Sequence, residues 1–327
     1  MTPLTRFPLR SRPFTGATVR VEGLAHGVAR LVLDRPRVRN AFDPRMVREL
    51  DAALALLAEL DPDAGPDGLR LLLLEGEGPV FCAGADLRQG VAQAGATADE
   101  NLESARALGR MFRRLAGFPV PVLARIQGAA MGGGLGLAAC CDFVLADAAA
   151  RFATSEVRLG LVPAVIGPYL VRRLGLARAA PLMLTGRRIL APEALELGLV
   201  QALLAPGESP EAALTRVLED FLAAGPEAAR ATRALLLAAA PLPAPELEAL
   251  AARTLAAARA SSESRDGIRA FFAAAPPPWA LPQAPSGPDA PPGALPQAPS
   301  GPDAPPGDRS GAPPGPGLPP GSGPEPA

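Results

Sequence analysis

Apolar and polar positions follow two periods along this chain, and they sort most of it into elements. "HGVARLVLD" (26–34) reads as a strand. "DPRMVRELDAALALLAEL" (43–60) carries apolar residues at helical spacing, with Asp43 as N-cap and Pro44 at the first helical position. "LRLLLLEG" (69–76) is a continuous apolar run with the length of a buried strand. A helix is expected over about 99–116, then the strand "PVLARI" (121–126). A glycine run follows, opening a short helix, and then the strand "DFVLAD" (142–147). Helices are expected near 163–174, 178–184 and 191–197, followed by the strand "LVQALL" (199–204). From 209 to 274 the pattern is almost wholly helical. Strands alternating with helices predict an α/β domain with a helical region after it.

Composition changes the picture at both ends. Residues 276–327 hold twenty of the forty prolines, and "ALPQAPSGPDAPPG" occurs at 280–293 and again at 294–307. Such a tract cannot bury enough apolar surface to offset chain entropy, so 276–327 is expected to be a disordered Pro/Gly-rich tail with polyproline character. Residues 1–18 are expected to form a flexible arm. Between these ends lie a core over 19–205 and a C-terminal helical region over 206–275.

The remaining composition mainly excludes. With 48% apolar residues and a net charge of -1, the chain can build a large core and has no charge excess for nucleic acid or an anionic membrane. All its basic side chains apart from one histidine are arginines, which removes Schiff-base chemistry and a P-loop lysine. The single histidine, His26, argues against a Ser-His-Asp triad and against a histidine metal site. Cys82, Cys140 and Cys141 lack C-x-x-C spacing and read as reduced apolar fillers. No apolar run reaches transmembrane length, and the expectation is a cytoplasmic protein needing neither metal nor cofactor.

The candidate chemistry lies around "MGGGLGLAACCDF" (131–143). Gly134, Gly136 and Ala139 satisfy a dinucleotide spacing, and Glu156 stands twenty residues past Gly136. That site would need an acid closing the next strand, but the next strand ends at Asp147. The glycines fit better as a close-packed helix N-terminus, whose unpartnered N–H groups can stabilise an oxyanion. A second small-residue turn, "PVFCAGADLR" (79–88), follows an earlier strand and could supply a second donor.

Five stretches carry a resemblance: "RVRNAFD" (37–43), "FCAGADL" (81–87), "GAAMGGGLGLAACCDF" (128–143), "FATSEVRLGLVPA" (152–164) and "LTGRRILAPEALELGLV" (184–200). In this order the chain resembles the crotonase, or enoyl-CoA hydratase/isomerase, superfamily over about 19–275. The resemblance implies a spiral of ββα units, C-terminal helices that assemble trimers or hexamers, and an acyl-CoA thioester substrate. It implies an oxyanion hole from the backbone N–H groups of Ala85 and Gly133. Ala83, Ala85, Asp86, Leu87, Arg88, Gly132 and Gly133 would line the substrate, and Arg39 and Arg88 match positions that can meet its phosphates. Asp86 is expected to be structural, and Asp142 to cap or pair.

The resemblance also marks a departure. Typical hydratases set two glutamates across one water. One corresponds to Glu156; the other falls on Gly136, which has no side chain. A buried Glu156 would have a raised pKa suited to proton transfer, whereas an ion pair with Arg151 or Arg158 would make it structural. The text around it is similar to bacterial methylglutaconyl-CoA and carboxygeranoyl-CoA hydratases. The rationale is that Gly136 removes a charge that would repel a carboxylated acyl group and adds room. Three readings stand: hydration of an enoyl-CoA, branched or carboxylated; isomerisation with Glu156 as the only acid/base; and a non-catalytic binding protein on the same fold.

Overall fold

The computed structural model describes residues 2–5, 14–60, 68–88, 95–239 and 242–282. The repeated proline-rich segment from 283 onward lies outside them.

A six-stranded sheet runs in the order β1-β2-β3-β4-β6-β9. Its strands are β1 (Val19–Leu24), β2 (Val28–Leu33), β3 (Leu71–Gly76), β4 (Val122–Ile126), β6 (Phe143–Ala146) and β9 (Ala202–Leu203). β1 is antiparallel to β2, and every other pair is parallel. The four-leucine run sits in β3, in the middle of this order. Leu72 and Leu74 enter one core with α1 (Pro44–Ala58) and α2 (Ala98–Ala116). Leu71 and Leu73 enter a second core with Leu214, Val217, Leu218 and Leu222 of α7 (Pro210–Leu222). A strand buried on both faces needs apolar residues at every position, which is why its sequence shows no alternation.

A small sheet of β5 (Ala129–Met131), β7 (Arg151–Ala153) and β8 (Ile189–Leu190) runs in the order β5-β7-β8. α3 (Gly133–Cys140), which follows β5 in the chain, is almost fully buried. Then come α4 (Gly167–Leu174), α5 (Leu176–Thr185) and α6 (Ala191–Glu196), and after α7 the helices α8 (Pro226–Ala239), α9 (Ala244–Ala260) and α10 (Ser262–Phe272).

α1 begins as its sequence dictates: the Asp43 side chain accepts from Met46 N at 2.7 Å, with Pro44 just inside. The helix expected from 163 starts at Gly167, after a turn from Pro163 and with Pro168 in its first turn. The strand expected over 199–204 shortens to Ala202–Leu203, because the N–H groups of Leu199 and Val200 turn back onto Ala194 O.

Both ends of the described chain are tied down. Thr18 donates to Glu49 from its hydroxyl at 2.6 Å and from its backbone at 2.8 Å, so residues 14–18 belong to the edge of the large sheet. Residues 276–282, within the expected tail, pack as well: Trp279 Nε1 donates to Ala223 O at 3.1 Å, and Arg70 donates to Trp279 O at 3.2 Å. The three cysteines are buried and free. No described helix is long and apolar enough to cross a membrane.

Candidate active site

Two backbone segments meet at the N-terminal end of α3. The first is 81–86. Phe81 N and Cys82 N donate to Gln127 O and Ala129 O, and Met131 N returns a bond to Cys82 O at 2.9 Å. This adds the segment to the edge of β5. Its other side is held by Arg39 O, which accepts from Ala83 N at 2.9 Å, and by Phe42, which bonds Gly84 O at 2.7 Å and Asp86 N at 2.8 Å. In such a parallel bridge the residues flanking Ala85 take the bonds. The N–H of Ala85 itself therefore points away from Phe42, and Ala85 is exposed.

The turn that grips this segment is built by two residues that sequence reasoning passed over. Asn40 is buried at a left-handed φ of 54°. It accepts from Arg35 N at 2.8 Å and donates to Glu77 O and Val80 O at 2.9 and 2.8 Å. Arg35 donates to Ala41 O at 2.5 Å and lies 3.1 Å from Asp43 and 3.3 Å from Asp86. Asp86 is thus engaged by Arg35. "RVRNAFD" held the signal in its asparagine, a residue that tolerates left-handed backbone.

The second segment is 132–134. Gly132 has φ 49° and ψ -117°, a conformation that costs any side-chain-bearing residue, and it delivers Gly133 as the first residue of α3. The Gly133 N–H consequently has no intrahelical acceptor. Gly84, at φ 89°, passes so close that a Cβ there would come within 2.9 Å of Met131 O and 3.7 Å of Gly132 Cα. The two candidate donors, Ala85 and Gly133, therefore follow neighbouring glycines.

Glu156 faces the same place. It lies on a 3₁₀ turn, Ser155–Leu159, closed by Gly160 and anchored through Thr154, whose buried hydroxyl donates to Leu182 O at 2.8 Å. A Cβ on Gly132 would come within 2.9 Å of Glu156 Oε1 and 3.3 Å of its Cδ. Oε2 is buried with no hydrogen-bond partner. Burial raises the pKa of this carboxyl, and a hydrogen bond from its own backbone N–H offsets that only in part. Arg158 turns elsewhere and donates to Thr185 O at 2.9 Å, while Arg151 is exposed. The alternative of an ion-paired, structural Glu156 is not what these contacts form.

The expectation that Gly136 adds room is corrected. A Cβ there would overlap Ile166 Cγ2 and come within 2.9 Å of Ile166 Cβ and Phe112 Cε1. The space of the missing side chain is filled with hydrocarbon. Arg39, Leu87 and Arg88 are exposed, and Ala83 is partly so. Among the described residues no group of three His, Cys, Asp or Glu side chains could hold a metal ion.

The sequence profile of the enoyl-CoA hydratase/isomerase family matches residues 23–281. The chain belongs to this family. It is 40% identical over 255 residues to the "Putative enoyl-CoA hydratase" of Thermus thermophilus, covering 76% of this chain and 96% of that one. It is 35% identical over 211 residues to "Enoyl-CoA isomerase/hydratase fer4" of Mycosarcoma maydis, covering 63% and 76%. Among solved structures, Pseudomonas aeruginosa AtuE superposes with a TM-score of 0.76 at 38% identity, over 81% of this chain and all of that one. The fold is therefore the α/β crotonase fold, and the family acts on acyl-CoA thioesters.

Proposed function

We propose that this family member hydrates the 2,3 double bond of an enoyl-CoA whose acyl group is branched or carboxylated, 3-methylglutaconyl-CoA being the example to test first. The observation that carries the reading is the Glu156 carboxyl lying against Gly132, next to the first N–H of α3. The thioester oxygen accepts from Ala85 N–H and Gly133 N–H. Glu156 takes a proton from water as the oxygen adds to C3, and negative charge moves through C2 onto the thioester oxygen. Helix dipole and backbone donors stabilise that enolate. The same carboxyl then returns the proton to C2, so one acid/base group suffices. The backbone from Ala85 to Arg88 runs along the CoA moiety, with Arg39 and Arg88 meeting its phosphates. The protein assembles as a trimer, or as a hexamer of paired trimers.

A panel of CoA thioesters tests this, with Glu156→Ala as control. Hydration by the parent chain that Glu156→Ala abolishes supports the reading; activity unchanged in that variant removes Glu156 from the mechanism. Much faster turnover of crotonyl-CoA than of 3-methylglutaconyl-CoA overturns the acyl assignment. A second reading, isomerisation, fits the filled site at Gly136 equally well, since shuttling one proton between two carbons also needs no second carboxylate. Conversion of a 3-enoyl-CoA to its 2-isomer without hydration would establish it. Binding without turnover of any thioester would establish a non-catalytic role.

A further inference from the structure

One helical turn beyond the oxyanion donor the site is closed by a partition. Gly133 and Gly136 stand three residues apart on α3, about 4.5 Å along its axis, and share a face. In a thioester held at Ala85 and Gly133, C3 lies two bonds from the carbonyl carbon, so the rest of the acyl group must run within reach of that face. At Gly136 it meets Ile166, which is 3% exposed and packs with Phe112 over the bare Cα. Tyr169 leans on Phe112 with ring centroids 5.9 Å apart, and Arg172 stacks over Tyr169 at 5.7 Å.

Beyond this barrier α3 continues to a different space. A cavity of about 770 Å³, lined largely by apolar side chains including Ala139, Cys140, Phe221, Leu236 and Leu237, opens between the C-terminal end of α3, α4, α7 and α8. Arg172 is also on its wall, and Ala85, Gly133 and Glu156 are not. Neither Ile166 nor Phe112 is on the cavity wall: the Phe112 ring is at Gly136, and its carbonyl is 3.9 Å from the Sγ of Cys140, which does line the cavity. Gly133 and Cys140 are seven residues apart, about 10 Å of helix.

We propose that Ile166, backed by Phe112, is a specificity-determining residue that limits the acyl group to a short chain by filling the space beside Gly136. Truncating Ile166 opens hydrocarbon-lined space beside Gly136 and gives a longer apolar chain room to pass α3. The proposal rests on the reading of Ala85, Gly133 and Glu156 as a thioester site. It also explains why a side chain cannot be restored at 136 alone, since residue 136 and Ile166 compete for one volume.

The test compares four-carbon and ten-carbon 2-enoyl-CoA in the full chain and in Ile166→Val, Ile166→Ala and Gly136→Ala/Ile166→Ala. The parent chain should favour the four-carbon substrate. The ten-carbon to four-carbon ratio of kcat/KM should rise at least about tenfold in Ile166→Ala, less in Ile166→Val, and fall back in the double variant, whose new methyl group refills the gap. Circular dichroism establishes that each variant is folded; if Ile166→Ala is not, Ile166→Val carries the comparison. A ratio unchanged in the folded variants, or a parent chain that turns over both lengths equally, overturns the partition. If the parent hydrates neither straight-chain substrate, the proposed reaction is judged on the branched and carboxylated thioesters alone. The partition is then read from the dissociation constants of saturated butanoyl- and decanoyl-CoA in the same proteins, where the same shift supports it and no shift overturns it.

Discussion

Glu156 combines a raised pKa with a place beside the donor glycines, and both can be measured. Its carboxyl titrates higher in the folded chain than in the unfolded one, because burial disfavours the charge. Across the interval between those two pKa values the native state binds more protons, so stability falls as pH rises, and above both the cost is constant. Glu156→Gln should therefore raise Tm at pH 7, and the gain should vanish below the ordinary carboxylate range. The same substitution should lower kcat by about 10²- to 10⁴-fold. In the parent chain, activity should decline on the acid side at a higher pH than an ordinary carboxylate would give. Gly132 separates geometry from chemistry. Gly132→Ala removes no functional group, yet it forces a Cβ into a left-handed backbone and to 2.9 Å from Glu156 Oε1. We expect a loss of about 1–3 kcal/mol in a urea titration and about a 10²-fold fall in kcat, with Glu156 still present. Unchanged turnover would mean that the carboxyl does not need its observed position. Glu156, Ala85 and Gly133 could be named from the sequence through the family resemblance that its motifs carry. It could not name Ile166, whose meaning comes from packing against Gly136, thirty residues earlier in the chain.

At the level of elements, what could be read was what is local. The cap of α1, the both-face burial of β3 and the long helices each follow from contiguous residues. β5, β7 and β8 have three residues or fewer and no period to read, and they exist only because Cys82 pairs with Ala130, and Phe152 with both Ala130 and Ile189. α3, rich in glycine, would be a poor helix in water; burial on all sides holds it in place. The joint between α8 and the large sheet was equally invisible. Arg233 is buried and donates to Phe118 O, to Ala116 O at 3.1 Å and to Asp142 Oδ2 at 2.6 Å, while Asp142 also accepts from Val122 N at 2.7 Å. Asp142 does pair, as expected, but with a residue ninety-one positions away. Arg233→Leu keeps the apolar stem and leaves three acceptors short of a donor. It should cost about 3 kcal/mol of unfolding free energy, measured by urea titration. A change below about 1 kcal/mol would show that water replaces the guanidinium freely and that the joint is not held by it.

For the whole molecule, the C-terminal helices carry apolar surface that the described chain leaves uncovered. α9 buries none of its residues, and Leu236, Leu255, Ile268, Phe271 and Phe272 are exposed, the two phenylalanines by 78% and 82%. Apolar side chains gathered in one helical region at that exposure mark a surface built for contact. α8 and α10 are nonetheless firmly attached to one another: the Glu263 carboxylate accepts from Glu227 N and Ala228 N, both at 2.8 Å, and so caps α8. The apolar surface is therefore carried by helices already held by the rest of the chain. The trimer we propose would cover it with copies of itself. Sedimentation at micromolar concentration should give three times the 33.4 kDa chain mass, or six times if trimers pair. Phe271→Asp/Phe272→Asp should move the mass toward the monomer, because each buried contact would then have to desolvate a charge. Trp279, the chain's one tryptophan, packs against Gly267 on α10, so unchanged emission would establish that the variant has lost its partners and not its local fold. A parent chain that sediments as a monomer would leave this surface for a different protein to cover.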